Sequence, residues 1–124
     1  MERFNPVLKI LHIDDNPNEQ LLTRYVLEKA GYKVVTAGSS EQALRILGAE
    51  AIDLVLSDHI LRGTTGAEIA KRIKELHPNI PVVLFSGVVE PPPGSEEYTD
   101  VFVNKDAGPD QMLQVIATLL NKSV

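Results

Sequence analysis

The chain has no cysteine. Disulfides and thiolate metal sites are therefore excluded, and the absence fits a reducing compartment. No apolar run approaches the ~20 residues that span a bilayer, and Met1 to Pro6 lack the apolar stretch of a signal peptide. There is no excess of positive charge either. Twelve Lys and Arg face 17 Asp and Glu, a formal charge of -5. That balance argues against general nucleic-acid affinity and leaves only a local basic patch open. No internal repeat or linker divides the 124 residues, so one domain over 1–124 is expected. A soluble, cytoplasmic protein without membrane attachment is the default.

Strand and helix patterns alternate along the chain. Val7 to Ile13 reads as a buried strand, apolar except at Lys9 and His12. Asn16 can cap the next helix, with Pro17 at its first position and Glu19 at its third. Leu21, Leu22, Tyr25 and Val26 keep helical spacing, and Gly31 suits the stop. Tyr32 to Ala37 reads as the second strand. Ser39 and Ser40 offer caps for a helix carrying Ala43, Leu44 and Leu47 and ended by Gly48. Ile52 to Ser57 reads as the third strand, and a loop through Gly63, Thr64, Thr65 and Gly66 leads to a helix with Ile69, Ala70 and Ile73 that Pro78 stops. Pro81 to Phe85 and Val101 to Asn104 supply two more strands. In the last helix, after Gly108 and Pro109, Met112, Val115, Ile116, Leu119 and Leu120 form one apolar stripe.

One stretch breaks the alternation. Val88 to Tyr98 contains Pro91-Pro92-Pro93, and an interior proline costs a helix ~3 kcal/mol. An irregular or shortened fourth helix is expected there, with at most a short turn near Ser95. Near-continuous apolar strands separated by helices indicate a parallel sheet covered on both faces, with right-handed crossovers.

Each strand is followed by a residue with chemistry. Asp14 and Asp15 follow the first, Asp58 the third, Ser86 the fourth and Lys105 the fifth. In a parallel sheet all five gather at the carboxyl edge, where open α/β sheets bind ligands. Adjacent ionised carboxylates repel each other, and a hard cation relieves that repulsion. Mg²⁺ suits such a site because it takes oxygen ligands, keeps several waters and is often shared with a phosphate. Asp14-Asp15 alone reads as a solvated turn; the matching strand ends turn the set into a metal and phosphoryl site.

These pieces carry a resemblance. Ile13-Asp14-Asp15-Asn16, Leu54-Val55-Leu56-Ser57-Asp58, Leu61 and Gly66, Phe85-Ser86-Gly87 and Phe102-Val103-Asn104-Lys105 occur in the order and spacing of the receiver domain of bacterial two-component response regulators. The chain resembles that family over essentially its whole length. The resemblance implies a flavodoxin-like, five-stranded parallel sheet of order 2-1-3-4-5. It implies a phosphoprotein of signal transduction, in which Asp58 accepts a phosphoryl group within a two-component system or phosphorelay. Asp15 and Asp58 would bind Mg²⁺ directly, Asp14 through water, and the Ile60 backbone carbonyl would complete the protein ligands. Ser86 would hydrogen-bond the phosphoryl group, Lys105 would pair with Asp58 or its phosphate, and Phe102 would hold the aromatic switch position. The implied partners are a histidine kinase or phosphotransfer protein and a downstream protein. No DNA-binding segment follows the last helix, so output by protein contact or onward phosphotransfer is expected unless the chain is an excised domain.

Three departures from the family pattern stand out. Arg62 and Asp106 replace prolines that are common there, and Pro91-Pro92-Pro93 occupies the place of the fourth helix. A cis Lys105-Asp106 bond would cost ~2.5–4 kcal/mol, which leaves its geometry open. His12 reads as a packed residue, His77 as a surface residue at a helix end, His59 as structural or surface, and Thr64 and Thr65 as loop hydroxyls.

Other functions compete. A small Mg²⁺-dependent phosphohydrolase would use Asp58 as nucleophile, but no second acid stands beside it to activate water. A flavin carrier on the same fold would need a Ser/Thr/Gly-rich phosphate loop where Asp14-Asp15-Asn16-Pro17 stands. The complete acidic set counts against a degenerate receiver used as a scaffold. A phosphoacceptor signalling domain, not an enzyme, is the reading these comparisons favour.

Overall fold

Turn and cap residues divide the chain as their chemistry requires. The computed structural model describes residues 7–87, 91 and 93–120. Within them, β1 is Lys9–Ile13, α1 Pro17–Lys29, β2 Lys33–Ala37, α2 Ser40–Ala49 and β3 Leu54–Ser57. A two-residue hairpin follows, β4 (Ile60–Leu61) and β5 (Thr64–Thr65), then α3 Gly66–Leu76, β6 Val82–Ser86, β7 Val101–Asn104 and α4 Pro109–Leu120. The Asn16 side chain accepts from the Asn18 and Glu19 amides, with Pro17 at the first helical position. Ser39 caps α2 and Thr65 caps α3 in the same way. Each cap satisfies amides that the helix itself leaves unpaired.

The main sheet is wholly parallel, in the order β2-β1-β3-β6-β7. The hairpin takes the numbers four and five, so this is the expected 2-1-3-4-5 arrangement of the sheet strands. Side chains alternate between its two faces. Leu11, Ile13, Val55 and Val82 pack against Ala43, Leu47, Ile69 and Ile73 of α2 and α3. Ile10, Leu54, Leu56, Val83 and Val103 pack against Leu27, Met112 and Ile116 of α1 and α4. The two layers clamp the sheet and fix its strand ends relative to one another.

Strand limits differ from the apolar runs for local reasons. Val7 is 64% exposed and precedes β1. β3 starts at Leu54 because Asp53 turns its carboxylate onto the Lys9 amide at 2.7 Å. α2 continues one residue past Gly48. Between β6 and β7 the described residues hold one 3₁₀ turn, Ser95–Glu97, after Gly94 at φ 79°. This is the turn expected near Ser95. Val88 to Glu90 and Pro92, within the stretch expected to be irregular, lie outside the described residues. No cis peptide bond occurs among the described residues, so Lys105–Asp106 is trans. Asn104 accepts from the Asp106 amide at 2.8 Å and stabilises that turn. No helix among the described residues is long and apolar enough to cross a membrane.

Candidate functional site

The sheet ladder carries the acidic residues to one edge. The Asp14 amide donates to the Ala37 carbonyl, and the Asp58 amide to the Ile13 carbonyl, both at 3.0 Å. Each residue thus extends its strand by one step and stands beside its neighbour. Lys105 follows β7 directly and reaches back across the edge. Its Nζ lies 3.3 Å from Asp58 Oδ2 and 3.7 Å from Asp14 Oδ2, and it also bonds the Glu19 carboxylate. Nζ sits 5.6 Å from the centre of the Phe85 ring as well, a cation–π distance.

Asp14 is buried, with 1% of its side chain exposed. Its Oδ1 accepts from the Asn16 amide at 2.9 Å, while Oδ2 has no hydrogen-bond partner among the described residues. Burial pushes its carboxyl above the usual carboxylate range, against the pull of the Asn16 N–H and of Lys105. For Lys105, burial works to lower the pKa. The hydrogen bond to Glu19 and the charges of Asp58 and Asp14 outweigh it and hold the ammonium above the usual lysine value. Asp58 Oδ1 accepts from the His59 amide at 2.7 Å, which leaves Oδ2 facing Lys105.

One carboxylate oxygen from each of Asp14, Glu19 and Asp58 lies within 4.8 Å of the other two. A set of hard oxygen donors with one buried, unpartnered oxygen fits a divalent cation such as Mg²⁺. Asp15 is not in this trio. Its Oδ2 accepts from the Arg62 amide at 2.7 Å, tying the loop after β1 to the β4–β5 hairpin. Ile60 lies in that hairpin with its side chain 65% exposed. Ser86 ends β6, fully buried, and its hydroxyl has no partner among the described residues. Phe102 is half-buried in β7, on the face opposite Val101 and Val103.

Two neighbours of Lys105 were not legible as site residues. Glu19 reads from sequence only as the third residue of a capped helix, yet the first turn of α1 delivers it to the edge. Phe85 reads as strand core, but it borders a groove of about 250 Å³ lined by Glu19, Leu22, Val26, Lys105 and Met112 among others.

His12 is buried beneath the site, as expected of a packed residue, with Nε2 3.8 Å from Asp14 Oδ2. Burial first, and then Lys105, push it down from 6.5 to about 4. It is therefore neutral in the folded chain at pH 7. Between those two values the unfolded chain binds more protons than the folded one, so stability falls as the pH drops from 6.5 to about 4. The full loss is about 3 kcal/mol. Asp14 works in the opposite sense, because protonation relieves the cost of burying its charge, and it blunts the fall at the acid end. Urea melts across this range are expected to show a clearly flatter profile for His12→Leu than for the wild type. Equal slopes would remove His12 from the account.

The chain matches the family described as response regulator receiver domain over residues 10–117. It is 39% identical over 82 residues to sporulation initiation phosphotransferase F of Bacillus subtilis (strain 168), covering 66% of each chain. It is 29% identical over 117 residues to the transcriptional regulatory protein GlrR of Escherichia coli (strain K12), covering 92% of this chain but only 26% of that protein. Among solved structures it is similar to the response regulator TrrA of Thermotoga maritima in complex with Mg²⁺ and BeF, at 28% identity and a TM-score of 0.87, covering 92% of this chain and 100% of that one. TrrA in complex with the histidine kinase ThkA matches at 28% identity and a TM-score of 0.86, over 92% and 99% of the two chains.

Proposed function

The chain belongs to the response regulator receiver domain family, and we propose that it is a signalling module in which Asp58 accepts a phosphoryl group from a phosphohistidine donor. The observation that carries this reading is the position of Lys105 Nζ, 3.3 Å from one oxygen of a carboxylate whose other oxygen is already held by an amide. A carboxylate attacking phosphorus brings two anions together. An ammonium at that distance offsets the repulsion as charge develops.

Asp58 Oδ2 forms the new O–P bond, and the P–N bond of the donor breaks with its electron pair left on the imidazole. Asp14, Asp15 and Asp58, with the Ile60 carbonyl, are the proposed holders of Mg²⁺. When bound, the cation would neutralise phosphoryl oxygens during transfer. The unpartnered buried hydroxyl of Ser86 is suited to donate to the phosphoryl group once it arrives. That new bond would draw the end of β6 inward and bias a two-state loop, with Phe102 on β7 as the aromatic that follows.

The partners in this reading are a histidine kinase or phosphotransfer protein upstream and a protein downstream. ThkA with TrrA supports the first. We read residues 1–124 as one receiver domain, an acceptor and not an enzyme. A cytoplasmic setting goes with this, and the absence of cysteine fits it.

Intact-mass spectrometry after treatment with a small phosphodonor tests the reading. With Mg²⁺ the wild type is expected to gain one phosphoryl group, and with a chelator the rate is expected to fall at least about tenfold, in line with loss of one strong electrostatic contributor. No gain with Mg²⁺ would defeat the proposal.

A further inference from the structure

Lys105 has three acidic neighbours, and the proposed acceptor and Mg²⁺ holders leave out Glu19, although one of its oxygens lies within 4.8 Å of those of Asp14 and Asp58. Glu19 lies in the first turn of α1, 86 residues from Lys105 in sequence, yet its carboxylate accepts a hydrogen bond from Nζ. Asp58 Oδ2 stands 3.3 Å from the same nitrogen and Asp14 Oδ2 3.7 Å. Lys105 is largely enclosed, with 20% of its side chain exposed, whereas Glu19 is 41% exposed. One ammonium therefore serves the acceptor carboxylate and a competitor on a different element.

We propose that Glu19 restrains Lys105, so that the phosphoryl group on Asp58 engages the ammonium only by drawing it away from the α1 carboxylate. The inference rests on Asp58 being the acceptor. Phosphorylated, Asp58 carries about -1.5 to -2 of charge where the free carboxylate carries -1, and it presents three strong acceptor oxygens. Lys105 has three N–H donors to share, and every one held by Glu19 is withheld from those oxygens. Glu19 also keeps a fixed negative charge close by, since one of its oxygens lies within 4.8 Å of a carboxylate oxygen of Asp58. Competition for donors and like-charge repulsion act in the same direction. Both make the phosphorylated state less favourable than it would be with a neutral residue at this position. Glu19 is thus a positioning residue that tunes how readily the switch is thrown.

Replacing Glu19 by Gln keeps its length and removes its charge. Because Glu19 is partly exposed and lies on the first turn of a capped helix, the variant is expected to fold. Calorimetric titration with beryllofluoride in the presence of Mg²⁺ reads the affinity of the site for a phosphoryl mimic. Glu19→Gln is expected to bind about three- to tenfold more tightly than the wild type, the scale of a partly exposed ion pair plus one removed repulsion. Glu28→Gln removes the same charge from an exposed position paired with Arg24 on the same helix, and is expected to match the wild type. A residue that merely supported the fold would weaken binding on replacement, so the gain is the diagnostic sign. Unchanged or weaker binding in Glu19→Gln overturns the inference, and the weaker case makes Glu19 a cation ligand instead. If the wild type itself binds no beryllofluoride with Mg²⁺, the acceptor reading fails and takes this inference with it.

Discussion

Asp58→Asn is expected to show no phosphodonor-dependent gain in mass under conditions that modify the wild type fully. The substitution keeps the shape of the side chain and removes its nucleophilic anion. An amide oxygen can still accept from the His59 amide, as Asp58 Oδ1 does at 2.7 Å, so the local backbone has no reason to move. Lys105 keeps Glu19 and Asp14 as partners, so the ammonium is not stranded. The protein is therefore expected to melt within a few degrees of the wild type. Loss of labelling in a folded protein isolates the chemistry of one carboxylate from the integrity of the edge. Undiminished labelling would move the acceptor to another residue. Continuous release of inorganic phosphate by the wild type, far in excess of protein, would make it a phosphohydrolase.

Much of this site could be read from the sequence because strand ends are marked by a change from apolar to polar residues. Asp58 and Lys105 each stand one polar residue (Ser57, Asn104) past a three-residue apolar run, and the parallel sheet does the rest. Once β1, β3 and β7 are aligned by their buried side chains, the residues after them have nowhere to go but the same edge. The proline run likewise argued against a helix, since three residues without amide hydrogens cannot sustain one, and the described residues between β6 and β7 hold the short 3₁₀ turn Ser95–Glu97. Contacts made by long side chains were less legible. Glu19 belongs to a helix whose first residues are chosen for capping, and nothing in the spacing of α1 says that its third residue will meet a lysine 86 positions away. Asp15 shows the reverse case. Its neighbour Asp14 is buried at the edge, but the chain bends at Asp15 before entering α1, and Asp15 meets the Arg62 amide instead. The geometry after Lys105 was open from the sequence. A trans bond closed by the Asn104 side chain settles it.

Gly66→Ala is expected to be the most damaging conservative change in the chain. Gly66 opens α3, and its amide donates to the His59 carbonyl at 2.7 Å. A Cβ there would stand 2.3 Å from the Asp58 carbonyl oxygen, 2.6 Å from Leu84 Cδ1 and 2.9 Å from His59 Cα. Leu84 could turn aside, but two of the three obstacles are backbone, held by the sheet and by the hairpin pairing of Ile60 with Thr65. Relief would require α3 to lift away from the sheet or the segment at Asp58 to shift. Overpacking of a close-packed core costs about 1–3 kcal/mol, and more where backbone must move. About 3 kcal/mol is a large share of the ~5–15 kcal/mol that holds a domain together, and it corresponds to a melting temperature about 10–15 °C lower. Gly48→Ala makes the same chemical change inside α2, where an added Cβ meets no atom within 4 Å. There the gain in helix propensity is expected to stabilise by about 0.5–1 kcal/mol. Paired thermal melts would thus move in opposite directions. Because the clash at Gly66 falls on the backbone of Asp58 itself, the variant is also expected to accept phosphoryl groups more slowly at temperatures where it is still folded. A Gly66→Ala protein with unchanged melting and labelling would mean that α3 does not press on the acceptor segment.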